Sequence, residues 1–265
     1  MIDAFTLTGH YPFRRIKASL ENITGILEKE GFTDIFTVSF GALFYRNFNE
    51  GNRELLEEVV KTQLNRGRLR VHLLAGINPF YISNISEIKE LSSHYRAVVI
   101  SPLYQGFNIS SKRVIYIVRT ANEANLPVII LGYLEDPREM HRAYRFRYAL
   151  SSEKVKAFFE LLRNTREELK VAFISFPFKI LSELSSEISK FSVYIDVSSN
   201  DVYGPMYDYV KLLVDSIGED LVIFASKTPL TYLKSILYKV LYSDIEESKK
   251  YKILLYNAKK LFNIR

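Results

Sequence analysis

Basic and aromatic side chains interleave between residues 138 and 148. Asp136-Pro137-Arg138-Glu139-Met140-His141-Arg142-Ala143-Tyr144-Arg145-Phe146-Arg147-Tyr148 packs four arginines, a histidine and two tyrosines into 13 residues. A guanidinium is a planar fork that matches carboxylate or phosphate, and a tyrosine ring can stack on an aromatic body. Arg138, His141 and Arg142 are therefore candidate anion contacts. The competing reading is an arginine-rich surface segment that pairs with nearby acids such as Glu135 and Asp136. A second candidate is Lys227, in the turn Ala225-Ser226-Lys227-Thr228-Pro229 that ends an apolar run and leads into a helix. A buried lysine there either loses its proton and works as a base or Schiff-base former, or stays charged beside a carboxylate. Asp3 and Asp196 are the acids at hand.

His10, with Tyr11 and Arg14, falls in the loop after the first apolar run, as a catalytic group or an ordinary hydrogen-bonded surface residue. His72, between Val71 and Leu73, reads as an interior group, and His94 as non-catalytic. Asp196-Val197-Ser198-Ser199-Asn200-Asp201 is either a polar shelf for a ligand or a turn that caps the next helix. No serine sits in a Gly-x-Ser-x-Gly elbow, and no phosphate loop of the Walker type occurs.

Composition narrows the chemistry further. The chain has no cysteine, which excludes disulfides, thiolate nucleophiles and cysteine metal sites, and its histidines number four. Its 265 residues are 48% hydrophobic and 25% charged, which suits a soluble globular protein with a large core. A net charge of +6 permits an anionic partner without requiring one. The clusters Arg66-Gly67-Arg68-Leu69-Arg70 and Lys249-Lys250-Tyr251-Lys252 read as solvated faces, so nucleic acid is not a favoured partner. No run of 18 apolar residues and no signal peptide is present, so no membrane partner is expected and the cytoplasm is the default location. Abundant Ile, Lys, Glu and Tyr without cysteine is a composition seen in thermophile proteins.

These residues must be positioned by an alternation of short apolar runs and longer amphipathic segments. The predicted strands are Ile2–Thr8, Asp34–Phe40, Leu69–Leu74, Ala97–Ser101, Pro127–Leu131, Lys170–Ser175, Ser192–Ser198 and Leu221–Ala225. They lack the polar–apolar alternation of a half-exposed sheet, as expected of parallel strands covered on both faces. The predicted helices are Arg15–Glu30, Asn52–Gln63, Ile85–Ser92, Ser110–Asn125, Ser152–Asn164, Phe178–Lys190, Pro205–Ile217 and Thr231–Tyr242. Ser110 and Ser152 are the expected N-caps, and Asp244 is expected to cap a further helix, Ile245–Leu261. Eight strand–helix pairs in this length predict a (β/α)8 TIM-like barrel with an extra C-terminal helix, as one domain over residues 1–265.

Several segments, in order, resemble the amidohydrolase-related metal-dependent hydrolases. Asp3-Ala4-Phe5-Thr6-Leu7, followed by Gly9-His10-Tyr11-Pro12-Phe13-Arg14, is similar to that family's Asp-x-His-x-His and Gly-x-x-Pro-Phe-Arg. Ala97 to Phe107, Leu134 to His141, Asp220 to Leu230 and Asn257-Ala258-Lys259-Lys260-Leu261-Phe262 are similar to its fourth strand, fifth loop, last strand and closing helix. The resemblance implies an amidohydrolase-like barrel with its site at the mouth, where Tyr104 and Gln105 become further ligand-binding candidates. It also implies a metal, yet the first-strand histidines are replaced by Phe5 and Leu7, and the strand-four basic residue by Val99. No histidine occurs in strands five and six, and the last-strand Asp is replaced by Lys227. The expectation is a barrel without metal or other cofactor, a pseudoenzyme binding a small anion, with Lys227 paired to Asp3 or Asp196. The alternatives are an active hydrolase or lyase using Lys227 or His10 without metal, and a nucleic-acid-binding or scaffolding protein working through residues 138–148. Members of such families often pair, so a homodimer is a further expectation.

Overall fold

The structure is a computed structural model that describes residues 1–63, 69–82, 87–135, 149–163, 169–199 and 208–264. Eight parallel strands follow one another in sequence order: β1 (Ile2–Thr8), β2 (Asp34–Ser39), β3 (Arg70–Gly76), β4 (Ala97–Ile100), β5 (Val128–Leu131), β6 (Val171–Ile174), β7 (Tyr194–Asp196) and β8 (Val222–Ile223). The ring is closed by backbone hydrogen bonds from Ala4 N to Phe224 O (2.9 Å), Lys227 N to Phe5 O (3.0 Å) and Leu7 N to Thr228 O (2.9 Å). The expected (β/α)8 architecture is therefore present.

The strand residues split between two apolar layers. Phe36, Val38, Leu74, Val99, Ile129, Leu131, Ile174 and Ile223 join Ile2, Ala4, Phe5 and Leu7 inside the ring. Ile35, Ala75, Val98, Ile130, Val171, Ile195 and Val222 pack outward against the helices. Neighbouring residues in a strand face opposite ways, so burial on both sides removes any polar alternation.

The helices are α1 (Leu20–Lys29), α2 (Phe40–Phe44), α3 (Phe48–Gln63), α4 (Glu87–Glu90), α5 (Pro102–Gln105) and α6 (Lys112–Glu123). They continue as α7 (Ser152–Leu162), α8 (Phe178–Glu183), α9 (Ser185–Lys190), α10 (Tyr209–Ile217) and α11 (Leu233–Leu241). Last come α12 (Glu247–Tyr251), a π-helical turn (Lys252–Tyr256) and α13 (Asn257–Phe262).

Several boundaries differ from the sequence expectation for local reasons. Helix α1 starts five residues late because Ser19 accepts from Asn22 N and caps it. The N-caps are Ser111 and Ser151, not Ser110 and Ser152; of each serine pair, these hydroxyls accept the Val114 and Lys154 amides. The predicted helix Phe178–Lys190 is broken at Leu184. Asp244 does not cap the last helix: its carboxylate is drawn to Lys211 (2.6 Å) and its amide to Asp208. Helix α2 was not expected; Ser39 ends β2 and caps it by accepting from Gly41 N.

The two ends of the ring are built differently. At the strand starts, buried Asp34 accepts from Arg70 Nε (2.8 Å) and Nη2 (2.8 Å), with His72 Nε2 at 2.8 Å. Burial would raise this carboxyl, but the hydrogen bonds from Arg70, His72 and Thr33 outweigh it and hold it low. His72 stacks on Phe36 as an interior group, as expected. Asn257 Nδ2 ties α13 to Glu219 O (2.7 Å) and Val222 O (2.6 Å), and Phe262 stacks on Phe36 at 3.7 Å, so the last helix plugs this end. At the strand ends the helices carry the mouth.

Close approach of α2 and α3 there depends on Gly51. A Cβ on Gly51 would lie 2.1 Å from Ala42 N and 2.3 Å from Gly41 C, backbone atoms that cannot step aside. Gly51→Ala is expected to lose about 1–3 kcal/mol, read as a lower urea midpoint; an unchanged midpoint would contradict this packing.

Candidate functional site

Three strand ends meet around Lys227. The residue follows β8 and is 1% exposed. Its Nζ donates to Ser175 Oγ (2.6 Å), Tyr133 O (3.2 Å) and Leu134 O (3.4 Å). Those acceptors lie beyond β5 and β6, so one ammonium holds the ends of β5, β6 and β8 together. Lys227 has φ 56° and Ser175 φ 56°, the left-handed region that costs a non-glycine residue about 1–3 kcal/mol. Such strain persists only where surrounding contacts impose it, and here both residues serve the same hydrogen bond.

Asp196, at the end of β7, lies in the field of Lys227. Its Oδ1 accepts from Ser175 N (2.6 Å), and its Oδ2 from Ser198 N (2.8 Å) and from Ser198 Oγ. Burial raises its pKa, opposed by Ser198, Ser175 and the charge of Lys227. Lys239 of α11 also lies in the field of Asp196; burial lowers its pKa, and its Nζ donates to Ser199 O (3.2 Å).

Asp3 takes a separate place in the cluster. A register slip in β1 between Asp3 and Thr6 sets Ala4 and Phe5 against the single residue Phe36 of β2, a bulge of the kind that re-aims side chains near sites. Asp3 Oδ1 accepts from Ser226 N (2.9 Å) and Phe5 N (3.2 Å), while Oδ2 is buried without a partner among the described residues. Burial, with Asp196 adding to it, pushes its pKa up to about 7. Of the two acids expected to partner Lys227, Asp196 feels its charge, whereas Asp3 is held by Ser226 and the Phe5 amide.

An aromatic wall stands beside this polar cluster. Tyr11 packs on Phe40 (4.9 Å) and Phe13 (5.3 Å), Phe13 on Phe44 (5.4 Å), and Phe44 on Tyr104 (5.8 Å). The Tyr104 hydroxyl accepts from Leu134 N (3.2 Å), and burial raises its pKa. Burial and the Glu135 carboxylate raise that of Tyr11. Glu135 is bound by Arg14 Nε at 3.1 Å; the arginine loop expected to pair with it lies outside the described residues.

The remaining candidates fall elsewhere. Gln105 accepts from Ser101 N (2.8 Å) and donates to Ile77 O (3.0 Å), so both ends of its amide brace the β4 loop. His10 is exposed and makes no hydrogen bond among the described residues. Arg138, His141 and Arg142 lie outside the described residues, as do Asn200 and Asp201. The cap of α10 is Asp208, so the segment after Asp196 does not play that part. Ser175 and Lys239 escaped the sequence reading; the signal for Ser175 was its place at the end of the sixth apolar run.

A divalent cation in this place would need imidazole, carboxylate or neutral oxygen donors. Among the described residues no three His, Asp or Glu side chains are gathered as such a set. Phe5 and Leu7 bring no lone pair, and the Lys227 ammonium repels a cation. The described residues at this place therefore do not by themselves supply a metal-binding set.

Neither a protein-family model nor a curated protein sequence matches the chain. Solved structures do match it over nearly its whole length. 2,6-Dihydroxybenzoate decarboxylase from Rhizobium superposes with a TM-score of 0.71 at 12% identity, covering 99% of both chains. A protein from Acinetobacter baumannii described as a probable 2-pyrone-4,6-dicarboxylic acid hydrolase, with citric acid bound, gives 0.67 at 13%, again over 99% of both. A dihydroxybenzoic acid decarboxylase from Polaromonas, holding manganese and the inhibitor 2-nitroresorcinol, gives 0.70 at 13%, over 99% of this chain and 96% of its own. The chain therefore shares the (β/α)8 barrel fold of these decarboxylases and hydrolases.

Proposed function

We propose that this barrel binds a small carboxylic acid at its mouth without the divalent cation held by its manganese-bearing neighbour, the ammonium of Lys227 serving as the fixed positive charge. The observation that carries this reading is the burial of Lys227 Nζ among Ser175 Oγ and the Tyr133 and Leu134 carbonyls, close to Asp196. An ammonium supplies positive charge but no coordination site, so it cannot activate water as a metal does. The acid class is suggested by what the structural neighbours act on or hold, among them 2,6-dihydroxybenzoate and citric acid. Arg138, His141 and Arg142 are the proposed contacts to its carboxylate, with Arg14 at the same end of the barrel.

A second reading, an enzyme acting without metal, is favoured by Asp3. A fully buried carboxyl with a pKa about 7 and one unpartnered oxygen suits a general base. Turnover that rises with pH through about 7 and disappears in Asp3→Asn would establish it.

The leading reading is tested with chelator-treated protein reloaded with zinc or manganese and then dialysed. Elemental analysis is expected to find no stoichiometric metal, while 2,6-dihydroxybenzoate still binds, and binds more weakly in Arg138→Ala/Arg142→Ala. One tightly held ion per chain would overturn it.

The structural part played by the ammonium has its own measure. Lys227→Met leaves Asp196 buried without its neighbouring cation, which is expected to cost about 3 kcal/mol in urea unfolding. Adding Asp196→Asn should recover part of that loss, since the uncompensated charge is then gone. A cost below about 1 kcal/mol would mean that the ammonium does not hold the mouth together.

The pH dependence of stability reports on Asp3. Its folded pKa lies above the unfolded value, so folded protein retains a proton that unfolded chain has lost between about pH 4 and 7. The associated stability is complete below pH 4 and is lost as the pH rises through 7. Urea unfolding at pH 5 and pH 8 should show a smaller decline in Asp3→Asn than in the unchanged protein; equal declines would place the titration elsewhere.

A further inference from the structure

We propose that the barrel carries a second anion site on the face opposite the mouth, in a pocket of about 500 Å3 that takes a small dianion bearing an aryl body. The pocket lies between α13 and the starts of β6, β7 and β8. It is lined by Lys170, Lys259, Lys260, Asn263, Tyr194 and Tyr256, with Leu221 and Ile264 completing an apolar side. Among the described residues, no aspartate or glutamate lines it.

The three lysines come from two parts of the chain. Lys259 and Lys260 belong to the last turn of α13, where cations are favoured by the exposed helix carbonyls. That effect explains two lysines on a helix end but neither the third lysine nor the cavity. Lys170 enters from the residue before β6, and its Nζ donates to Lys260 O (3.3 Å) and Asn263 Oδ1 (2.5 Å). An ammonium has three N–H groups, so Lys170 is anchored in place with one donor left among the described residues. Asn263, at φ 52°, turns the chain so that Ile264 N bonds to Lys259 O (3.1 Å), which forms the apolar wall. Among the described residues, no carboxylate pairs with Lys259 or Lys260.

The chemistry of the lining selects the ligand class. Three positive groups around one cavity without a compensating acid favour a head group of charge two over a single carboxylate. The volume falls within the range of about 300–1,000 Å3 usual for small-molecule sites, so a bare inorganic ion would leave most of it empty. Tyr256 and the apolar side fit a flat hydrocarbon body. An aryl phosphate and an aryl dicarboxylate share this chemistry.

Calorimetric titration of the full chain at low salt decides the matter, with phenyl phosphate and benzene-1,3-dicarboxylate as probes and inorganic phosphate as the bodiless comparison. With the proposed mouth contacts removed by Arg138→Ala/Arg142→Ala, one site per chain is expected, weakened by added salt, and inorganic phosphate should bind less tightly than phenyl phosphate. The tighter of the two aryl probes identifies the head group. Lys259→Gln/Lys260→Gln is expected to weaken binding about tenfold or more, while Arg138→Ala/Arg142→Ala leaves it unchanged. That contrast separates this site from the proposed one at the mouth. Should the doubly substituted protein melt early, Lys260→Gln alone, an exposed side chain, makes the same comparison. Absence of binding at about 10 mM probe, or binding retained by the lysine variants, would overturn the proposal.

Discussion

A charged ammonium removed from water must find oxygen acceptors, and the mouth of this barrel is arranged around that requirement. Taking an ammonium and a carboxylate out of water costs several kcal/mol for each ion, which only close and well-directed partners offset. Lys227 meets the condition with one hydroxyl and two carbonyls, and Asp196 meets it with two amides and the Ser198 hydroxyl. Ser175 serves both ions, giving its amide to Asp196 and its oxygen to Lys227. The left-handed backbone at Ser175 and Lys227 places these groups, so local strain and charge compensation belong to one arrangement.

The same arrangement explains why β8 can be so short. Only Val222 and Ile223 form regular strand, yet the ring closes because Lys227 N and Leu7 N continue hydrogen bonding across the β8–β1 seam. A metal ion would bind strand ends through lone pairs directed at one point. An ammonium instead spreads its N–H groups toward separate acceptors, so it links strand ends without offering a vacant coordination position. That difference underlies the proposal of binding over metal-assisted hydrolysis.

The opposite end of the barrel follows another logic. There Asp34 is buried and answered by Arg70 and His72, and Asn257 ties the closing helix to the start of β8. Beside that paired cluster three lysines, from α13 and the residue before β6, line a pocket with no aspartate or glutamate among its described lining residues. One end thus holds its charges in compensated pairs within the ring, while the rim nearby gathers three lysines at a cavity.

Local pattern in the sequence was enough for the barrel, since unbroken apolar runs such as Val128–Leu131 and amphipathic stretches such as Lys112–Glu123 carry the signal of doubly covered parallel strands and their helices. It also placed Lys227 and Asp196 at strand ends, because their position in each run is a matter of counting. Tertiary structure alone decided the partners. That Asp196 shares the field of Lys227 while Asp3 is held by the Ser226 amide beside a bulge in β1, and that Glu135 meets Arg14 across 121 residues of chain, is visible only in three dimensions. The bottom pocket was equally hidden, for Lys170 and Lys260 are 90 residues apart and meet only when the last helix closes the ring. Hydrophobic periodicity is a property of neighbours along the chain, whereas charge compensation is settled between segments far apart in it.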